Sequence, residues 1–444
     1  MENITLSSNL SQEIFNGTQL FARKLSRPQQ FNFRELVRGI LLSGSTYLSC
    51  IGRTNGVTNN ERKTVERLSK TLAKIPTETF ANTHVQSQVN HFRNEAVLIL
   101  SDGGDFQKPY AKKMKKVCST ADGSNGHKIG KGYPIHCLMA LGVESGDLSP
   151  LALRVYSTFD ETFIGEWDEH KKNFDMLKPF IKNSSYDRII VEDRGCDDEK
   201  RFLYFLDNLE ASFVTRLHTG ARARKFVIQK KNGDLETMKV SDLSEKLRSE
   251  AGCKRTWRNT KIKKDLTSKI AFQKVYLPDH LDIPLYAIFC YSEGYSEPLV
   301  ILTDLETSDF AKAWKYFFYY KKRWEVENLY RAIKQQFAAE SFLILDFEKI
   351  KALTFLVMLT YSLLLKIKRK LKMFLGFMYE VFMDFCSRKQ KTGKHHLDVL
   401  TFIRDQFAQP EAADLYRFYS RQFKKFLICS TKFQLNLFDL RKKW

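Results

Sequence analysis

Residues 320–334 read YKKRWEVENLYRAIK, and this stretch carries polar side chains at helical spacing. In an α-helix, which turns by about 100° per residue, Tyr320, Arg323, Glu327 and Lys334 fall within an arc of about 60°. Arginine and lysine are seldom buried unless they are paired. The stripe therefore indicates one of two structures. One is a solvated, salt-bridged helix face, which is the commoner meaning of such spacing. The other is a surface that binds a metal through Glu327 and a phosphate through Arg323 and Lys334.

The composition indicates a globular protein that binds a polyanion. The chain has 444 residues, of which 43% are hydrophobic and 28% are charged, so it is long enough for two or three domains. Its formal net charge is +21, which favours nucleic acid as the partner. Because the basic residues are spread along the whole chain, they indicate an extended electropositive surface rather than a basic tail.

The cysteines and the apolar runs favour a cytoplasmic location. None of the eight cysteines forms a CxxC pair, so no zinc site is predicted, and scattered thiols suit a reducing compartment. The first residues, MENITLSSNLSQEIF, lack the basic-then-apolar order of a signal peptide. The most apolar run, ALTFLVMLTYSLLL at 352–365, is too short to span a bilayer and predicts a buried helix. We therefore expect no contact with a membrane.

The hydrophobic pattern divides the chain into five segments. Residues 1–90 are predicted to be helical, with helices over 33–48 and 59–73, and form either a DNA-binding region or a structural cap. Residues 91–219 predict three strands, a helix, a strand, a helix and a strand, the order of a ribonuclease-H-like mixed α/β sheet. The predicted elements are strands at 96–101, 133–142, 151–156, 187–192 and 212–217 and helices at 166–181 and 198–209.

The second half of the chain completes this organisation. Residues 220–311 are basic and rich in short apolar runs, so they predict a β-rich insertion. Residues 312–344 complete the mixed α/β core through a final helix that extends from about position 308 to 337. Residues 345–444 are predicted to be helical, apolar at first and then basic and aromatic.

Three carboxylates are candidates for a metal site. Asp102 and Asp193 each follow a predicted strand, and Glu327 lies on the final helix. Carboxylates that meet in space need a counter-charge, and oxygen ligands without His or Cys favour Mg²⁺ or Mn²⁺. Two such ions could support phosphoryl transfer on nucleic acid. Nearby acidic residues compete for these roles; they are Asp105, Asp122, Glu192, Asp197, Asp198, Glu199 and Glu325.

The same segments resemble the insertion-sequence-4 family of transposases. Residues 320–334 match its Y-x2-R-x3-E-x6-K signature without a spacing error. LILSDGGDF at 98–106 and IIVEDRGCDD at 189–198 resemble its first and second catalytic blocks. YPIHCLMAL at 133–141, with His136, and SFVTRLH at 212–218, with Arg216, resemble two of its strands. The similarity covers about residues 95–340.

The resemblance implies a DDE transposase with a ribonuclease-H-like core. Asp102, Asp193 and Glu327 would then be catalytic and hold two Mg²⁺ or Mn²⁺ ions. The enzyme would cut one strand at each transposon end, and the freed 3′-OH would attack target DNA. A dimer on double-stranded DNA and a bacterial, nucleoid-associated location are also implied. The residues expected to contact DNA are Tyr320, Arg323, Lys334, Arg194 and Arg216.

Two features depart from the family pattern. The first block reads Asp-Gly-Gly-Asp where many relatives have threonine after the aspartate, so Asp105 is a rival or auxiliary ligand. Some relatives form a DNA hairpin and hold a flipped base against a tryptophan, but this chain has Leu299 at that position, so the resemblance leaves open whether a hairpin forms. Two alternatives to an active transposase remain: a non-catalytic DNA-binding relative, and a metal-dependent, structure-selective nuclease on the same fold.

Overall fold

The computed structural model of the chain describes residues 6–54, 60–122, 128–230, 232–259 and 264–375. The chain divides into two compact units. One comprises residues 1–68 and 363–444, and the other comprises residues 69–362. The prediction of a helical, basic C-terminal region lies outside the described residues from position 376 onward.

The first unit is helical where it is described, as predicted. It contains α1 (Leu6–Ala22), α2 (Arg27–Ser43), α3 (Leu48–Thr54) and the start of α4 (Glu61–Leu72). At the start of α2, the backbone N–H of Ser26 donates to Gln29 Oε1 at 3.0 Å. Gly44, with φ of 59°, ends this helix and donates its N–H to the carbonyl of Ile40. The helix predicted over 33–48 therefore begins and ends earlier in the structure, because the turn at Gly44 was not recognised in the sequence.

The second unit is built on a large mixed sheet. After α5 (Thr77–Val89), its described strands follow the order β2-β3-β1-β5-β6-β12-β11-β10-β7-β8 across the sheet, with β4 beside β3 and β9 beside β10. The strands are β1 (Val97–Gln107), β2 (Cys118–Asp122), β3 (Lys128–Gly142), β4 (Leu148–Val155), β5 (Arg188–Glu192), β6 (Ser212–Arg216), β7 (Lys225–Gln229), β8 (Leu235–Lys239), β9 (Gly252–Asn259), β10 (Lys264–Leu277), β11 (His280–Ser292) and β12 (Leu299–Thr303).

Strand β1 is longer than predicted, and this changes the setting of Asp102. It pairs in antiparallel register with β3 from Val97 to Gln107, whereas its parallel pairing with β5 ends at Leu100. The prediction that Asp102 follows the end of a strand was therefore wrong. Pairing with β3 satisfies the backbone of β1 through the Asp-Gly-Gly-Asp sequence and keeps it extended. Asp193 does follow β5, as predicted.

Short helices pack on this sheet through buried apolar side chains, several of them aromatic. They are α6 (Glu166–Asp175), α7 (Lys178–Lys182), α8 (Glu199–Leu203), which continues as a π-helical turn over Tyr204–Leu209, and α9 (Val240–Leu247). The rings of Phe202 and Phe213 stack with centroids 4.9 Å apart, and those of Phe174 and Phe205 meet edge to face at 5.1 Å. These buried rings join α6 and α8 to β6 in one hydrophobic core.

Residues 220–311 extend the same sheet. Strand β12 pairs with β6 over Thr303 to Ile301, and β11, β10, β7 and β8 follow outward. The segment is rich in strands, but it also contains α9, which the apolar pattern did not indicate. Strands β9 and β10 pair with each other and carry many of the exposed basic residues of this segment. Two further lysines, Lys261 and Lys263, lie between these strands in the sequence and outside the described residues.

The predicted final helix is a chain of shorter helical pieces. Its parts are α10 (Phe310–Lys321), a 3₁₀ turn (Lys322–Trp324), α11 (Glu325–Arg331) and a π-helical turn (Ala332–Gln336). The prediction of one regular helix was therefore wrong in detail. A 3₁₀ turn tightens the helix and a π turn widens it, so side-chain directions drift from the ideal wheel along the segment.

The last described helix, α12 (Phe347–Leu375), contains the longest apolar run. Every residue from 352 to 365 is buried, which confirms the predicted buried helix. Residues 347–370 are long and apolar enough to cross a membrane by length and composition, and 83% of their most apolar window is buried within the protein.

We predict that Gly132→Ala destabilises the part of the sheet that carries Asp102. An added Cβ would lie 2.2 Å from the carbonyl oxygen of Phe106, a backbone atom of β1. Forcing the strands apart should lower the free energy of unfolding by about 1–3 kcal/mol, measured by denaturant or thermal unfolding. Gly220→Ala is the control, because a Cβ there meets nothing within 4 Å. Equal stability of the two variants would contradict this packing argument.

Candidate active site

The three predicted carboxylates surround one guanidinium group. Arg323 Nη1 lies 3.3 Å from Asp102 Oδ2, and Nη2 lies 3.6 Å from Asp193 Oδ2 and 3.4 Å from Glu327 Oε1. Asp102 comes from the middle of β1, Asp193 from the residue after β5, and Glu327 from α11. The fold thus brings together side chains that are distant in the sequence. The side chain of Arg323 is only 11% exposed, so the helix stripe is paired rather than solvated.

The electrostatics of this cluster are dominated by burial and by the single arginine. Burial, together with the charges of Asp193 and Glu327, raises the pKa of Asp102 to about 7, although Arg323 lowers it. Burial also raises the pKa of Asp193, but Arg323, the N–H of Arg194 and the hydroxyl of Tyr320 outweigh burial and hold it below its ordinary value. One guanidinium therefore does not fully compensate the carboxylates, and the cluster can accept further positive charge.

Tyr320 holds one of the aspartates directly. Its hydroxyl donates a hydrogen bond of 2.8 Å to Asp193 Oδ1. Burial and the nearby Asp193 raise the pKa of Tyr320 to about 12, so the phenol remains protonated and acts as a donor. Tyr320, Arg323 and Glu327 thus face one site, in agreement with the helical wheel.

Lys334, the last residue of the signature, makes a separate contact. Its Nζ lies 3.1 Å from Asp105 Oδ1 and 3.0 Å from Glu340 Oε1. It belongs to the π-helical turn, where the direction of a side chain departs from the ideal wheel. Asp105, the predicted auxiliary ligand, is buried against this lysine and makes no ion pair with Arg323 among those of the described residues.

The other predicted DNA-binding residues border the cluster. Arg216 ends β6 and is close enough to lower the pKa of both Asp193 and Tyr320. Arg194 is exposed directly after Asp193. Lys321 was not predicted: its Nζ lies 4.4 Å from the ring centroid of Trp257, a cation–π contact. Burial and the neighbouring charges of Arg216 and Arg323 lower the pKa of Lys321.

Tyr330 is a second residue that the sequence did not single out. Its hydroxyl donates a 2.7 Å hydrogen bond to the backbone carbonyl of Asp102. Its ring packs on β1 at Gly104, where an added Cβ would lie 3.2 Å from the ring. This contact fixes α11, which carries Glu327, against the strand that carries Asp102. Only the fold reveals it, because a tyrosine at this helical position otherwise indicates core packing.

The competing acidic residues have other partners or other places. Glu192 is buried and pairs with Arg201 at 2.9 Å, and His136 is also buried. The remaining contacts are Asp197 with Arg224, Asp198 with the N–H of Lys200, Glu199 with His280, and Glu325 with Asn328. Asp122 ends β2.

The donor set fits a hard divalent cation. Carboxylate oxygens without His or Cys partners are the ligands that Mg²⁺ and Mn²⁺ prefer. Among the described residues, no group of three or more Asp, Glu, His or Cys side chains is arranged in this structure so that it could hold a metal ion. The guanidinium of Arg323 lies between the three carboxylates, so it takes the position of a shared cation.

A comparison with known families identifies the domain that contains this site. The family described as "Transposase DDE domain" matches residues 168–363. The match includes Asp193, Glu327 and the 320–334 segment, whereas Asp102 lies before it. No curated protein matches the chain. Residues 168–363 thus carry a DDE transposase domain, the domain of a phosphoryl-transfer enzyme family.

The match defines the class of activity. The matched segment is a domain of a phosphoryl-transfer enzyme family, and this domain implies DNA binding and DNA transposition. Enzymes with this domain generally use divalent metal ions. The domain also implies a ribonuclease-H-like core, in keeping with the mixed α/β sheet described above.

We predict that a divalent cation can replace the charge of Arg323. Arg323→Gln should lower the free energy of unfolding in EDTA by about 2–3 kcal/mol, less than for a fully buried pair because the carboxylates are partly exposed. Mg²⁺ at millimolar concentration should raise the melting temperature of this variant more than that of the wild type. Thermal melts with EDTA or MgCl₂ measure both effects.

Arg188→Gln is the matched control for this experiment. Arg188 is also buried, but its guanidinium donates to the backbone carbonyls of Glu95 and Phe92 at 2.8 and 2.9 Å. This variant should lose stability without recovery by Mg²⁺. The same Mg²⁺ response in wild type and Arg323→Gln would show that the guanidinium and the metal do not share a site.

Proposed function

We propose that the chain is a DNA transposase of the insertion-sequence-4 type. It cleaves DNA strands at the terminal inverted repeats of its element and transfers the freed 3′-OH to target DNA. Asp102, Asp193 and Glu327 are its catalytic residues. The observation that carries the proposal is the convergence of these carboxylates on one cation, with Asp193 and Glu327 inside the matched DDE transposase domain.

The carboxylates would hold Mg²⁺ or Mn²⁺, as two ions. When bound, such ions activate the attacking oxygen and stabilise the leaving oxygen of a phosphoryl transfer. The protein holds the ligands in place through contacts already made without the ions. Tyr320 orients Asp193 by its 2.8 Å hydrogen bond, and Tyr330 ties the backbone of Asp102 to α11. The carboxylates are therefore preorganised for one shared site.

Basic side chains around the carboxylates supply the phosphate contacts. Arg323 is the nearest, and a guanidinium released from carboxylates can donate two parallel hydrogen bonds to a phosphate. Arg216 and Lys321 lie beside it, and Arg194 is exposed next to Asp193. These charges favour the DNA backbone over water near the reacting phosphate. Lys334, held by Asp105 and Glu340, would join them on binding.

We also propose how the protein assembles on DNA and where in the cell it acts. Joining two transposon ends to one target requires two active sites, so we propose a dimer on DNA. The formal net charge of +21 supports an extended DNA surface beyond the site itself. The free thiols of the described cysteines suit the reducing cytoplasm, where the enzyme would associate with the bacterial nucleoid.

We predict metal-dependent cleavage at the ends of the element. The substrate is labelled duplex DNA that contains the terminal inverted repeats flanking the coding region, with Mg²⁺ or Mn²⁺. Asp102→Asn, Asp193→Asn and Glu327→Gln should each lower the cleavage rate by more than about 100-fold, because each removes an anionic ligand while keeping the side-chain shape.

Two variants serve as controls in the same assay. Glu325 lies on the same helix as Glu327 but contacts Asn328 rather than Arg323. The Glu325→Gln variant should therefore retain activity. Asp105→Asn tests the auxiliary ligand and should retain most activity if Asp105 only anchors Lys334. Cleavage without preference for the repeats would favour a structure-selective nuclease. Specific binding with no cleavage under any metal would favour a non-catalytic relative.

A further inference from the structure

The two catalytic aspartates lie just beyond the place where their strands separate. The parallel pairing of β1 with β5 ends at Leu100 and Val191. Ser101 and Glu192 come directly after this pairing. Asp102 follows Ser101 within β1, and Asp193 follows Glu192 directly after the end of β5. Because side chains alternate between the faces of a sheet, Ser101 and Glu192 lie on the face opposite the aspartates.

A side-chain hydrogen bond continues the pairing at this point. Ser101 Oγ lies 3.0 Å from Glu192 Oε1, and both residues are buried. Arg201, from α8, donates from Nη1 to the same oxygen at 2.9 Å. The carboxylate of Glu192 is completely buried, so its charge depends on this arginine.

The direction of each hydrogen bond in this cluster can be assigned. Arg154 Nε can only donate, so the Asn173 atom 3.1 Å from it is the side-chain oxygen. The amide nitrogen of Asn173 therefore faces His136 Nδ1 at 2.9 Å and donates to it. His136 then carries its proton on Nε2 and donates to Ser101 Oγ at 3.1 Å. Ser101 is left to donate to Glu192.

A second histidine supports the same arrangement. The ring of His170 stacks on that of His136 with centroids 3.8 Å apart, and its Nδ1 accepts from Arg201 Nη2 at 3.1 Å. Burial lowers the pKa of His136 far below its ordinary value and that of His170 to about 3, so both rings stay neutral and keep these donor and acceptor roles.

We propose that Ser101, Glu192 and Arg201 are positioning residues for catalysis. Their buried hydrogen bonds hold β1 and β5 together on the face of the sheet opposite the aspartates. These bonds therefore set the distance between Asp102 and Asp193. These three residues contact neither the substrate nor the reacting atoms. This inference rests on the proposed function, because it concerns how the two aspartates share a divalent metal.

The test compares Ser101→Ala with Ser149→Ala. Ser149 is a buried serine of β4 in the same sheet, and its hydroxyl donates to Gln88 at 2.8 Å, away from the carboxylates. Mn²⁺ binding by the full-length protein is measured by electron paramagnetic resonance, and kcat and KM are measured with terminal-repeat DNA. Ser101→Ala should weaken Mn²⁺ binding about tenfold and lower kcat with little change in KM.

The remaining variants and outcomes decide the proposal. Ser149→Ala should bind Mn²⁺ like the wild type, and Ser101→Thr, which keeps the hydroxyl, should recover much of the loss. If Ser101→Ala does not fold, Ser101→Cys, with a similar shape and a weaker hydrogen bond, is expected to give an intermediate loss. Mn²⁺ affinity and kcat in Ser101→Ala equal to those in Ser149→Ala would overturn the positioning role. A wild-type protein that neither binds Mn²⁺ nor cleaves would instead overturn the proposed function.

Discussion

The ionic contact between Arg323 and three carboxylates is the interaction on which the rest of the site depends. Asp102, Asp193 and Glu327 come from a strand, a strand end and a helix, and without a positive charge their mutual repulsion would oppose the fold that brings them together. Arg323 supplies that charge from the same helical segment as Glu327. A divalent cation would supply more charge at the same place, so the arginine and the metal are alternative partners of one anionic cluster.

This exchange would connect metal binding with DNA binding. While Arg323 is paired with carboxylates, its guanidinium is not available to a phosphate. A cation bound by the carboxylates would release Arg323 to bind a phosphate, together with Arg216 and Lys321, which already lie nearby. The charge that stabilises the protein alone is thus the charge that would bind the substrate. Tyr320 and Tyr330, which hold Asp193 and the backbone of Asp102, would keep these residues in place during such an exchange.

Much of this arrangement could be predicted from the sequence, and the reasons for the failures are physical. Apolar runs ending in acidic residues located β1 and β5, and helical spacing indicated that Tyr320, Arg323 and Glu327 face one way. The length of β1 was missed because its glycines suggest a turn, whereas antiparallel pairing with β3 keeps them extended. The contacts of Lys334 were missed because a π-helical turn cannot be deduced from an ideal wheel.

The buried hydrogen-bonded cluster of Ser101, Glu192 and Arg201 could not be predicted from the sequence, for a different reason. Ser101, Glu192 and Arg201 interact only because strand register and a helix bring them together. Each has an ordinary explanation when it is considered alone. The one local sign is that Ser101 and Glu192 each precede an aspartate proposed to be catalytic. This sign acquires meaning only because the two strands bring both positions together.

The most direct test of the shared cation site is anomalous diffraction from crystals soaked in MnCl₂. We expect a Mn²⁺ peak within coordination distance of Asp102, Asp193 and Glu327, with the guanidinium of Arg323 displaced from between them. Mn²⁺ bound elsewhere while Arg323 keeps its three ionic contacts would contradict this expectation.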